Sequence, residues 1–178
     1  MKVRIRPATI ADLPAMASIK HDAGMAAWPH ILPVPVIQSL PFLERWTAAV
    51  SSSDPRASAL VADLEGRVVG FAITRPSGDE DAERATGELD GYYTDPRAWG
   101  TGAGRALLAA ATVALGEAGF RDATLWTAAE NHRPRRIYET AGWRVDGADR
   151  HRILGDVAFV EVRYRILLAD ASRPSIQG

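Results

Sequence analysis

The sequence predicts a mixed α/β domain, in which an antiparallel meander of strands precedes a helix crossover to a further strand. Three observations predict it. The periodic segments run in the order β-α-α-β-β-β-α-β-α-β-β. Asp63-Leu64-Glu65-Gly66 separates two apolar runs and has the composition of a hairpin turn. Further on, a strand, a glycine-rich loop and a strong helix follow one another directly.

Taken in order, Val3 and Ile5 alternate with Lys2, Arg4 and Arg6, which reads as a strand with one buried face that Pro7 ends. Thr9 suits a helix N-cap, and Asp12 three residues on suits the positive end of the helix dipole. Leu13, Met16, Ala17, Ile19 and Lys20 have helical spacing. Gly24 to Pro35, with its three prolines, reads as a loop. Val36 to Val50 resumes a helical pattern, with Leu40, Leu43, Trp46 and Val50 on one side, and Ser51 to Pro55 is a loop. Ala59–Ala62, Arg67–Thr74 and Glu88–Thr94 read as strands, with a polar loop at Pro76 to Asp81. Arg105–Leu115 is rich in alanine and leucine and reads as a helix ended by Gly116 and Gly119. Ala123–Thr127 is a strand and Pro134–Ala141 a short helix. Trp143–Val145 and Val157–Leu168 are late strands, joined across Asp146 to Asp156. A single domain over 1–168 is expected, with a flexible polar tail over 169–178.

Composition narrows the function. Hydrophobic residues are 47% and charged residues 24%, so a soluble globular chain is expected. The formal net charge of -1 gives no global field for nucleic acid or an anionic membrane. With no cysteine there is no thiol nucleophile, disulfide or thiolate metal site. His21, His30, His132 and His151 lack metal-ligand spacing. The N-terminus has no apolar core of a signal peptide, and no run reaches the roughly 18 apolar residues of a membrane span. A cytoplasmic location is expected.

Between the strand at Glu88–Thr94 and the following helix lies Arg97-Ala98-Trp99-Gly100-Thr101-Gly102-Ala103-Gly104. A helix N-terminus offers unpaired N–H groups and roughly half a positive charge, and glycines let phosphate oxygens approach the backbone. A P-loop would follow its glycines with Lys-Ser/Thr; here Arg105-Ala106 follows. A dinucleotide fingerprint would place its third small residue where Arg105 stands. A coenzyme A pyrophosphate, which needs no metal there, fits the loop.

Arg97-Ala98-Trp99-Gly100-Thr101-Gly102 resembles the Arg/Gln-x-x-Gly-x-Gly/Ala signature of the GCN5-related N-acetyltransferases. Gly87 to Pro96 looks like that family's fourth strand. Asn131 to Trp143 resembles its second motif, an asparagine, a tyrosine seven residues later, then Gly-aromatic. The resemblance spans about Lys2 to Leu168. Two departures are Thr94, where an aliphatic residue is usual, and Pro134, where a small one is usual; proline is benign in a first helical turn. The implied fold has antiparallel N-terminal strands and a splayed parallel pair at the cofactor site.

The implied activity is transfer of acetyl from acetyl-CoA, without metal, to a primary amine of a small molecule by direct attack. An amine of a protein or peptide is the alternative acceptor, weakly suggested by the acidic run Asp79, Glu80 and Asp81. A non-catalytic acyl-CoA sensor is a third reading, and a homodimer is left open. Direct attack needs a base for the amine and an acid for the leaving thiolate. The resemblance implies Tyr138 as the acid, the alternative being a core tyrosine. It implies Glu88 as the base, the alternative being a solvated charge. Asp90, two residues on and so on the same face as Glu88 and Tyr92, is the second candidate base. Tyr93, Thr94, Arg97, Trp99, Gly100, Thr101, Gly102, Ala103, Gly104, Arg105 and Asn131 are the expected cofactor-binding residues. For Asn131 a helix cap is an alternative, and for Arg105 a solvated side chain. Arg133, Arg135 and Arg136 suit either the 3′-phosphate or water. Trp28, His30, Trp46 and Trp126 are candidate acceptor walls or core.

Overall fold

A computed structural model describes residues 2–168; the expected tail lies outside the described residues. Seven strands form one sheet: β1 (Val3–Pro7), β2 (Ser58–Leu64), β3 (Arg67–Pro76), β4 (Thr86–Thr94), β5 (Asp122–Ala128), β6 (Arg144–Leu154) and β7 (Val157–Leu167). Their spatial order is β1-β2-β3-β4-β5-β7-β6. Among the described residues only β4 and β5 pair in parallel. The helices are α1 (Leu13–Ala27), α2 (Val34–Ser39), α3 (Glu44–Val50), α4 (Ala103–Glu117) and α5 (His132–Thr140). Among the described residues no helix is long and apolar enough to cross a membrane.

Three elements differ from expectation. The helix expected over Val36 to Val50 is two helices. Pro41 has no N–H to continue the ladder, and Leu40 is extended. Buried Lys20 of α1 holds the break, donating to the carbonyls of Leu40 (2.7 Å) and Pro41 (3.0 Å). Gly24 to Ala27, expected as loop, continues α1, because Gly24 is where α2 packs. A Cβ there would lie 3.2 Å from Ile37 Cγ2. Asp146 to Asp156 is not a connection but most of β6. Gly147 (φ 93) and the Asp146 carboxylate, which accepts the Ala148 N–H at 3.1 Å, form a bulge inside the strand. The turn at Gly155 and Asp156 then leads into β7, and a Cβ at Gly155 would lie 3.2 Å from Val36 Cγ2 of α2.

Helices cover both sheet faces. Leu107, Leu108, Ala111 and Leu115 of α4 pack on one core with Leu89, Leu125, Trp143 and Tyr164. Met16, Ile19 and Trp46, from α1 and α3, pack on the other with Val61, Phe71 and Ile73. Full burial of each such side chain contributes about 1.5–3 kcal/mol. Helix α4 is stopped by Gly119 (φ 84), not Gly116, which lies inside it. The Gly119 N–H donates to Gly116 O and the Phe120 N–H to Leu115 O, a Schellman stop.

Two irregularities open the sheet. Strands β4 and β5 pair only from Thr86–Asp122 to Glu88–Thr124, and then diverge. Strand β4 also bulges: Leu89 pairs with Thr74 and Gly91 with Ile73, so Asp90 is extra. The bulge corrects the expectation that Glu88, Asp90 and Tyr92 share a face. Glu88 and Asp90 point away from α4, whereas Tyr92 packs against the α4 core.

Candidate active site

The glycine loop sits where the two strands have parted. After Thr94 a 3₁₀ turn, Pro96–Ala98, carries the chain to Trp99 and the mouth of α4. Gly100 (φ 85) and Gly102 (φ 90) occupy the left-handed region, which other residues avoid. Gly104 is needed for space, since a Cβ there would lie 2.9 Å from Tyr92 Oη. The Thr101 hydroxyl ties the loop, donating to Ala98 O (2.7 Å) and accepting the Ala103 N–H (3.3 Å). Among the described residues the N–H groups of Gly102, Gly104 and Arg105 have no partner. Unpaired N–H groups at the start of a four-turn helix make an anion site.

Arg97 does not sit at that mouth. Its guanidinium turns back to Asp95 Oδ1 (3.0 Å) and towards Asp22 Oδ2 (3.6 Å). Buried Asp95 also accepts the Arg97 N–H (2.9 Å) and a bond from Arg67 (3.1 Å), so it clamps the turn. The Arg-x-x-Gly-x-Gly spacing repeats two residues on, as Trp99-x-x-Gly102-x-Gly104, and the glycines of that second frame stand at the helix N-cap and first turn. The guanidinium beside Trp99 is that of Arg133 from α5, 3.9 Å over the ring. Arg105 is exposed in the first turn of α4, and Arg135 is spent on Tyr164 Oη (2.9 Å) and Ala129 O.

A cavity of about 680 Å³ fills the gap between β4 and β5, and its lining includes Thr94, Trp99, Asn131, Tyr138, Glu88 and Asp90. Leu89 and Leu125 face the α4 core, so their strand neighbours Glu88 and Trp126 face the opposite side. Asn131 stands at the N-cap of α5 but its side chain makes no capping bond; its amide donates to Thr127 Oγ1 (3.4 Å). Tyr93 packs its ring 5.3 Å from Phe71 and 5.5 Å from Trp46, and it also lines the cavity. Thr94 Oγ1 accepts the Trp99 indole N–H (3.1 Å). Trp28 and Trp126 line the cavity; Trp46 does so from the core, and His30 instead bonds Glu130 O (2.9 Å).

The two carboxylates of β4 are pushed in opposite directions. Glu88 is buried, bonded to Arg75 Nη2 (2.9 Å) and to the Gly78 N–H (3.2 Å). Burial raises its pKa above the ordinary value, and Arg75 only partly offsets this. Burial acts on Asp90 too. Two bonds from Arg45 (2.7 and 2.9 Å), the charge of Arg75 and the Trp46 indole N–H (2.9 Å) outweigh it, and the pKa is lowered. Tyr138, 5.8 Å from both Tyr92 and Tyr164, is held well above its ordinary pKa by burial, so it keeps its proton at neutral pH. The acidic run does not form a free acidic groove. Arg163 bonds both Asp81 oxygens (2.6 and 2.7 Å) and reaches Asp79 (3.3 Å). Arg45 of α3, Arg75 of β3 and Arg150 and Arg152 of β6 also line the cavity; they have no local signature, because helix packing and strand order bring them together.

A sequence profile of the acetyltransferase (GNAT) family matches residues 21–143. The chain belongs to the GNAT acetyltransferase family. This GNAT protein is 31% identical over 101 residues to an uncharacterized N-acetyltransferase of Mycobacterium tuberculosis, covering 57% of this chain and 62% of that one. It therefore spans less than two thirds of that relative's length. It is 26% identical to the crystal structure of a ribosomal-protein-alanine N-acetyltransferase from Brucella melitensis, covering 93% of this chain and 99% of that one, with a TM-score of 0.74. The structure of the PaiA N-acetyltransferase of Thermoplasma acidophilum in complex with coenzyme A is 18% identical, with a TM-score of 0.69 over 90% of this chain and 98% of that one. The antiparallel strands and the splayed parallel pair implied by the resemblance are both present.

Proposed function

We propose that this protein transfers an acetyl group from acetyl-CoA to a primary amine of a small molecule. One observation carries the reading. The gap between the parted strands runs from Thr94 and Trp99, where the chain turns towards the unpaired N–H groups at the mouth of α4, to buried Glu88, whose pKa burial raises. Acetyl-CoA supplies the thioester. The N–H groups of Gly102, Gly104 and Arg105 hold its pyrophosphate, with Arg133 beside Trp99. The β4 backbone at Tyr93 and Thr94, freed from pairing with β5, and the Asn131 amide hold the pantetheine arm.

Glu88 Oε takes a proton from the alkylammonium, which titrates well above neutral pH. The amine nitrogen then bonds to the carbonyl carbon and the C–S bond breaks; the Tyr138 hydroxyl gives its proton to the departing thiolate and regains one from the acylated nitrogen, while Glu88 passes its own proton to solvent. Asp90, saturated by Arg45 and Trp46, braces the wall rather than serving as base. A small acceptor is favoured because the β6–β7 tip packs on α2 at Gly155 and Val36, and the adjoining Leu154 and Phe159 wall the cavity.

Acetyl-CoA at 100 times its Kd is expected to stabilise the fold by about 2.7 kcal/mol, read as a rise in Tm. No shift at millimolar ligand would sink the donor assignment. Tyr138→Phe is expected to slow turnover by roughly 10- to 100-fold, with acetyl-CoA affinity nearly intact. Unchanged turnover would remove Tyr138 from the acid role.

A further inference from the structure

On the cavity wall away from α4, Arg45, Arg75, Arg150 and Arg152 face Asp79, Glu88, Asp90 and Glu161, but the pairing is uneven. Asp90 is taken by Arg45, and Asp79 is shared with Arg163. Arg75, Arg150 and Arg152 then stand against Glu88 and Glu161. Glu161 Oε2 accepts from Arg150 Nε at 2.6 Å, while Arg152 Nε lies 3.9 Å from the same oxygen. One carboxylate thus faces two guanidinium groups, and Arg152 keeps its donors for something else. Arg75 gives Nη2 to Glu88, yet its Nε is buried and has no hydrogen-bond partner; Asp90 Oδ2 is 3.4 Å away. Arg150 is fixed in place, 4.2 Å over the Trp126 ring. All three guanidinium groups belong to the lining of the same cavity as Glu88.

We propose that the acceptor amine carries a carboxylate, seated between Arg75 and Arg152, while its amine points to Glu88. This rests on the acetyl-transfer reading above and names its substrate class. The donors that Arg152 keeps disfavour polyamines and other polycations, which would place like charge beside them.

The test compares the common amino acids and β-alanine with the corresponding amides and with 1,4-diaminobutane, using full-length protein and acetyl-CoA. The pairing of β-alanine with β-alaninamide is stringent. The carboxylate leaves the amine more basic and so less often unprotonated, which by itself favours the amide. A carboxylate acceptor is expected to exceed its amide in kcat/KM by about 10- to 100-fold, the effect of a charge-assisted bond. Arg152→Gln should collapse that ratio, and Arg152→Lys should recover part of it. Arg152 is half exposed, so both variants are expected to fold, which circular dichroism checks. Amides or the diamine acetylated as well as the acids would overturn the inference. So would a panel with no carboxylate acceptor bound or acetylated by a protein that binds acetyl-CoA. No binding of acetyl-CoA would instead remove the donor reading, and this inference with it.

Discussion

Glu88→Gln is expected to lower kcat/KM for amine acetylation by about 10²- to 10⁴-fold near neutral pH, with acetyl-CoA affinity retained. Glutamine has nearly the same shape and can still accept the Gly78 N–H, so the change removes a proton acceptor more than a contact. The pH dependence fixes the sign. A base works only when deprotonated, so the native rate should fall as pH drops through the pKa of Glu88, which burial has raised. In the variant that limb disappears. What remains is the small fraction of amine already free of its proton, which grows as pH approaches about 10.4, the ordinary value for a lysine-type amine. The deficit should therefore be largest at low pH and shrink at high pH. Asp90→Asn is the control. Asp90 already serves Arg45 and Trp46, so its loss should weaken the wall but leave the acidic limb in place. If the Glu88→Gln profile matched the native one, the base would be Asp90 or a water.

What could be read from the sequence was local in its physics. The β2–β3 hairpin is announced by Glu65-Gly66, and both residues have positive φ (55 and 85). Gly66 also gives its N–H to Asp63 (2.8 Å), as a tight turn requires. Helix α4 and its glycine mouth are likewise set by residues within one stretch of chain. What could not be read depends on partners far along the chain. The bulge at Asp90 is defined by register with β3, and it moves Tyr92 to the other face. Gly24 reads as a helix breaker until Ile37 explains why a side chain is unwelcome there. Arg97 and Trp99 begin overlapping frames of one spacing, and only the start of α4 at Ala103 decides between them. The acidic run Asp79, Glu80 and Asp81 weakly suggests a protein or peptide acceptor, but Arg163, some eighty residues on, pairs with Asp79 and Asp81.

Trp143→Ala is expected to destabilise the fold by about 3–5 kcal/mol, measured by urea unfolding. That is a large part of the roughly 5–15 kcal/mol that holds a typical domain. Trp143 is fully buried and sits where α5 stops. Gly142 (φ 95) gives its N–H to Glu139 O (3.2 Å), and Trp143 gives its N–H to Tyr138 O (3.0 Å), a Schellman stop like that at Gly119 and Phe120. The Gly-aromatic end of the second motif is thus a helix stop whose ring plugs the core. The Tyr138 carbonyl belongs to that stop, and Tyr138 and Trp143 share one core. Removing the indole should loosen the turn that aims the Tyr138 hydroxyl, so turnover should fall even where the variant is still folded. Trp143→Phe separates ring volume from the indole nitrogen. The Nε1 of Trp143 is buried without a partner, so phenylalanine keeps most of the plug and discards a donor that costs about 1–3 kcal/mol unpaired. The Phe variant should therefore be much closer to native stability than the Ala variant. Equal losses in the two would mean that the indole nitrogen, rather than the filled volume, holds this end of α5.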